Sequence, residues 1–259
     1  MVTGGLLEKV LQAGDFDGFS AGWHRGDVVP TGFTPLDRLL PAGGVRRGSL
    51  VECLAGGEAS GAAALACAVA CRLASDGDRA GDTASAIVVV DRKGWFHPPA
   101  VLDWLRQRGA SGWHAARLVV ARPAHDADEL WAIDQALRCR GVAAVVAWPR
   151  AIHSTAMRRW QLAARASLAV GLFVRPFVAR REPSWAEARI AVTPRPGGSL
   201  AVRRLQLSLV GGPWASTVQL QERSVEIGLD LARGGEAMLP PWVAAPYVHE
   251  REQVACLAS

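Results

Sequence analysis

From about residue 49 to residue 175, short apolar runs alternate with longer stretches that carry a helical apolar period and stop at glycine. Strands are expected over residues 49–55, 86–90, 117–121, 142–148 and 169–175. Helices are expected over 62–74, 99–108 (ended by Gly109), 127–140 (ended by Gly141) and 154–167. Strands that alternate with helices pair in parallel, because each helix carries the chain back along the sheet, and such sheets are covered on both faces. Residues 189–193 and 200–210, separated by Pro194, Pro196, Gly197 and Gly198, predict a terminal β-hairpin. The expected fold is α/β, a mostly parallel β-sheet flanked by helices, with a core spanning residues 31–210.

Two segments fall outside that core. Residues 1–30 read as an N-terminal arm, with a short apolar helix around Leu7 and Leu11 followed by Gly14, Gly18, Gly22 and Gly26. Residues 211–259 read as a C-terminal tail, partly flexible, in which Trp214, Trp242 and the prolines at 240, 241 and 246 show no period. Apolar residues on such segments bury their surface against a partner, so Leu7, Leu11, Trp214 and Trp242 are the candidate partner contacts. A length of 259 residues suits one α/β core with decorated ends.

Half the residues are apolar and 20% are charged, which excludes general disorder. The longest uncharged apolar run, residues 62–71, is too short to span a bilayer, and no secretory signal is legible, so the cytoplasm is expected. The five cysteines are odd in number and scattered, and Cys67 and Cys71 share a helical face without a histidine nearby, so packing rather than a disulfide or metal site is expected. The net charge of +5 permits attraction to nucleic acid, and all but two of the 29 basic residues are arginine.

After the first expected strand the chain reads Gly56 to Gly61 with the spacing of a phosphate-binding loop, G-x-x-x-x-G-K-[ST]. Such a loop needs a lysine for the phosphates and a hydroxyl for magnesium, and here those positions are Ala62 and Ala63. The carboxylate that would hold the magnesium shell after a neighbouring strand is also missing, its place taken by Trp148. No cofactor is therefore expected. A dinucleotide reading fails because G-x-G-x-x-G is absent, and neither H-x-x-x-H nor G-x-S-x-G occurs.

The chain resembles the RecA-like ATPase core, and more narrowly the ImuA-type accessory factors of bacterial inducible mutagenesis. The resemblance runs from Thr31 to Val210 and rests on Thr31-Gly32, Leu36-Asp37, Gly43-Gly44, Gly48 with Glu52, and Asp91 with Pro98. Two helical runs, residues 130–137 and 157–164, carry the narrower likeness. The resemblance implies that Lys93 stands where active members carry a catalytic glutamate, and that Arg175 and Pro176 stand where they carry a γ-phosphate-sensing glutamine. Gly56, Gly61, Ala62, Ala63, Lys93 and Trp148 thus form a vestigial nucleotide loop.

The function so implied is that of a non-catalytic assembly factor in error-prone translesion DNA synthesis. Its implied partners are an ImuB-like inactive relative of Y-family polymerases, an error-prone DnaE-type polymerase and RecA. Two other readings stay open: a regulator of RecA filaments that limits recombination, and a divergent DNA-dependent ATPase. The resemblance also implies weak, salt-sensitive binding of single-stranded DNA by Arg150, Arg158 and Arg159 after one strand and Arg175, Arg180 and Arg181 after the next, with Phe177 and Trp185 nearby. Glu52, Asp91 and Lys93 are expected in structural or interface roles, and Trp131 and Trp160 in the core.

Overall fold

The computed structural model describes residues 28–57, 59–79, 86–107, 118–212 and 224–239. Leu7, Leu11, Trp214 and Trp242 lie outside them. A two-stranded ribbon, β1 (Val28–Val29) with β2 (Val45–Arg46), frames the short helix α1 (Thr34–Leu39). The main run follows as β3 (Leu50–Ala55), α2 (Ala62–Arg79), β4 (Ala86–Val90), α3 (Pro98–Gln107), β5 (Leu118–Ala121), α4 (Asp126–Arg138), β6 (Val142–Ala147), α5 (Ser154–Ser167) and β7 (Val170–Pro176). A 3-10 turn (Phe177–Arg181) leads to β8 (Ala188–Arg195), β9 (Val202–Gly211), β10 (Ser224–Asp230) and β11 (Gly235–Ala237).

The nine strands β3 to β11 form one sheet in the order β11-β10-β9-β8-β3-β7-β6-β4-β5. Strands β3 to β8 pair in parallel, and β8 to β11 pair antiparallel. Side chains alternate across the sheet, so each central strand feeds both faces. On β3, Val51 and Cys53 join the core formed with α1, α2 and α3, whereas Leu50 joins the core formed with α4 and α5. The fold is thus α/β, a large mostly parallel sheet flanked by helices, as the alternation of elements predicts.

Three boundaries differ from expectation. The expected hairpin forms between β8 and β9 but is not terminal, because β10 and β11 extend the sheet beyond it. That part of the tail is sheet, since Val225, Ile227 and Leu229 alternate onto the α1 side of the core. Trp104 on α3 holds the turn after β10 by donating Nε1–H to the Leu231 carbonyl at 2.8 Å. Glu236 on β11 accepts the Thr34 N–H at 2.8 Å, satisfying a donor at the start of α1. At the other end, Val28 and Val29 pair with β2, so the last residues assigned to the arm belong to the folded unit. Helix α2 also runs on to Arg79, past the expected stop near residue 74.

Candidate functional site

The loop between β3 and α2 occupies the position of a phosphate loop: it leaves a central parallel strand and enters a helix N-terminus. Two of its donors are engaged within the protein. The Gly56 N–H donates to the Val192 carbonyl at 3.0 Å, which ties the start of the loop to β8. The Ala62 N–H donates to the Ser60 hydroxyl oxygen at 3.3 Å, engaging a donor at the start of α2. Gly61 has φ +87°, and a Cβ there would stand 2.6 Å from Leu205 Cδ2 and 3.4 Å from Arg203 Cδ, so strand β9 presses directly on the loop. Ala62 is buried, and Ala63 and Trp148 are half-buried against the core on the α2 face. The side chains of Ala62, Ala63 and Trp148 supply no cation, hydroxyl or carboxylate to this loop.

The turn after β4 is built around Asp91. This buried carboxylate accepts the Trp95 N–H at Oδ1 (3.0 Å) and the Phe96 N–H at Oδ2 (2.9 Å), so both oxygens hold backbone. Lys93 is exposed on this turn. Arg92 reaches across to Asp126 at 2.6 Å and to Glu129 at 3.5 Å, joining the turn to the start of α4. Burial pushes the Glu129 carboxyl above its ordinary range, and the Arg92 guanidinium opposes that shift.

Glu52, at the middle of β3, is fully buried and lies between two arginines. Its Oε1 accepts from Arg175 Nη1 at 2.8 Å, and its Oε2 accepts from Arg189 Nε and from the Ser184 hydroxyl at 3.0 Å. Arg175 also donates Nη2–H to Glu182 at 2.6 Å and to the Arg150 carbonyl at 3.3 Å. Arg189 donates to the carbonyls of Arg180 and Glu182, both at 3.1 Å, and to that of Ala179. The network fastens the segment after β7 to the centre of the sheet. The structural role expected of Glu52 is observed.

This placement corrects the assignment of Arg175 to DNA. Its side chain is 1% exposed, and its guanidinium is enclosed by two carboxylates and a carbonyl, so no phosphate reaches it. The other five arginines reach the surface with different freedom. Arg150, Arg180 and Arg181 are exposed. Arg159 is bound to Asp134 at 2.9 Å, and Arg158 donates to Gln161 at 2.7 Å while lying 4.4 Å above the Trp185 ring. Arg180 lies 4.6 Å above Phe177.

The two helical runs at 130–137 and 157–164 lie on α4 and α5, which pack side by side. Asp134 on α4 ties them together by pairing with Arg159 on α5, and it also pairs with Arg138 on its own helix. Trp160 is fully buried, its ring 5.2 Å from that of Phe173. Trp131 corrects its expectation: it is 64% exposed, because the buried stripe of α4 runs through Glu129, Ile133, Ala136 and Leu137 and leaves position 131 on the outer side. Cys53, Cys67 and Cys71 are buried, whereas Cys139 is exposed at the end of α4. An exposed aromatic that the sequence reading does not single out is Trp95, whose side chain stands in solvent on the Asp91 turn. No helix among the described residues is long and apolar enough to cross a membrane. No protein-family model matches the chain, and no curated protein matches it.

Proposed function

We propose that this chain is a non-catalytic, RecA-like assembly factor that serves error-prone translesion DNA synthesis. The observation that carries the reading is the loop between β3 and α2. It leaves a central parallel strand and enters a helix, as a phosphate loop does, yet Ala62 and Ala63 stand at the lysine and hydroxyl positions, and the Gly56 and Ala62 amides are engaged within the protein. The loop lacks the lysine and the magnesium hydroxyl, and the end of β6 lacks the carboxylate, that offset the charge developing as a γ-phosphoryl group departs, although the Arg203 side chain passes beside Gly61. A sheet of this size kept around such a loop is useful as a scaffold. The further support is the sequence resemblance to ImuA-type factors over residues 31–210.

On this reading the partners are an ImuB-like inactive polymerase relative and a DnaE-type polymerase, with single-stranded DNA as a weak ligand and the cytoplasm as the compartment. Arg150, Arg180 and Arg181 of the expected set are exposed and form no ion pair among the described residues, so they are available to phosphates, whereas Arg159 is exposed but paired with Asp134. The test is affinity purification of the full chain from DNA-damaged cells. The reading expects both polymerase-type partners to co-purify. Recovery of RecA alone would favour a regulator of recombination filaments instead.

A further inference from the structure

The carboxyl ends of β5, β4 and β6 lie side by side in the sheet, so the loops that follow them, residues 122–125, 91–97 and 148–153, form one rim. Two contacts join the first pair of loops: the Asp91 N–H donates to the Ala121 carbonyl at 2.9 Å, and Arg92 pairs with Asp126. Trp95 stands on this rim with 65% of its surface in solvent. Its backbone is nevertheless pinned. Asp91 accepts the N–H groups of residues 95 and 96, Gly94 turns the chain with φ +71°, and the neighbouring Phe96 is buried. A large aromatic side chain on a fixed turn loses little backbone freedom when a ligand covers it.

The rim carries both signs of charge, and three of its exposed cations form no ion pair among the described residues. Lys93, Arg122 and Arg150 are exposed, with His97 and His125 beside them. Of the nearby carboxylates, Asp91 is buried and holds backbone, Glu129 is buried, Asp126 is exposed and pairs with Arg92, and Asp128 is exposed. Phosphodiesters need cations spaced along their path, and an unstacked base needs an open aromatic face. The other basic and aromatic sites differ in that second respect. Arg180 covers a face of Phe177 and Arg158 covers a face of Trp185, whereas no cation or ring among the described residues covers Trp95.

We propose that Trp95 is the base-stacking residue of a single-stranded nucleic-acid site on this rim, with Lys93, Arg122 and Arg150 taking the phosphates. The assignment rests on the nucleic-acid partner in the reading above and moves the stacking contact away from Phe177 and Trp185. Single strands fit better than duplex because a stacked duplex offers no base face to an indole.

The experiment is fluorescence anisotropy of labelled oligo(dT) with the full chain at two salt concentrations. Trp95→Ala weakens binding about tenfold or more at fixed salt and leaves the salt slope unchanged, while Trp95→Phe retains most of the affinity. Lys93→Ala with Arg150→Ala flattens the salt slope by about 1–2 units. The urea midpoint of Trp95→Ala matches that of the wild type, because the side chain makes little core contact. Equal affinity of Trp95→Ala and wild type overturns the proposal, and so does a wild-type chain that binds no oligo(dT) at low salt. Loss of polymerase capture by Trp95→Ala with oligonucleotide binding intact also overturns it and makes Trp95 a protein anchor. Failure of the wild-type chain to capture the polymerase partners is a separate result that bears on the assembly reading alone.

Discussion

Replacing Glu52 by glutamine tests whether the charge network at the centre of the sheet is integral to the fold. Glu52 is fully buried, and the side chains of its partners Arg175 and Arg189 are 1% and 8% exposed. Removing one member of a buried pair leaves an uncompensated charge and costs about 3–5 kcal/mol. Two features hold the effect near the lower end of that range: Arg175 keeps Glu182, and Arg189 keeps three backbone carbonyls. The expected loss for Glu52→Gln is therefore about 3 kcal/mol, read from urea denaturation, or a fall in Tm of about 6–12 °C for a chain of this size. Glu226→Gln provides the control, because Glu226 pairs with Arg204 at a partly exposed site and its loss costs less than about 1 kcal/mol. Replacing Glu52, Arg175 and Arg189 together by Leu, Met and Leu restores much of the stability, since well-packed apolar groups remove the buried charges as a set. A Glu52→Gln protein within about 1 kcal/mol of wild type would refute the reasoning.

Other perturbations follow from local geometry. Gly61→Ala forces a Cβ against Leu205 at a residue with φ +87° and lowers stability by about 1–3 kcal/mol, whereas Gly43→Ala, at φ +76° in open space, costs about 1 kcal/mol; paired urea titrations compare them. In the folded protein a thiol reagent labels Cys139 and spares Cys53, Cys67 and Cys71, and peptide mapping by mass spectrometry shows the latter three labelled only after denaturation. Burial pushes the Cys53 thiol up to about 12, which adds to its protection. Burial also raises the Glu187 carboxyl above its ordinary 4.5, with Arg46 opposing the shift. The folded state then binds that proton more readily than the unfolded state, so this contribution to stability is absent above the raised value and grows as pH falls through it towards 4.5. The stability of wild type relative to Glu187→Gln is expected to be greater at pH 4.5 than at pH 7, and a smaller margin at pH 4.5 would count against the assignment.

The parts of the fold that were legible are those whose period and punctuation agree. Helix α5 spans the expected residues 154–167 because its buried stripe through Met157, Trp160 and Ala164 has a helical period. Strand β10 was legible but passed over: Val225, Ile227 and Leu229 alternate with polar residues, although the segment lies beyond the glycine and proline cluster that suggested an end to the sheet. The three residues of β11 carry no such signal. Residue type alone favours the core for Trp131, whereas its place on the helical wheel of α4 puts it on the outer side. The burial of Arg175 has no local sign: its partner Glu52 is 123 residues away, and only sheet pairing brings them together. A lone carboxylate in the apolar strand around residue 52 was the available sign that cations had to be buried nearby.

The most direct measurement is phosphate release from ATP by the purified chain, with and without single-stranded DNA and magnesium. No turnover above a buffer blank is expected, either for the wild type or after Ala62→Lys with Ala63→Thr, because on the proposed reading Trp148 and Lys93 still stand where an active site carries carboxylates. DNA-stimulated turnover by the wild type that Gly61→Asp abolishes would contradict the reading of the β3–α2 loop as a vestige and would assign the chain to the ATPases.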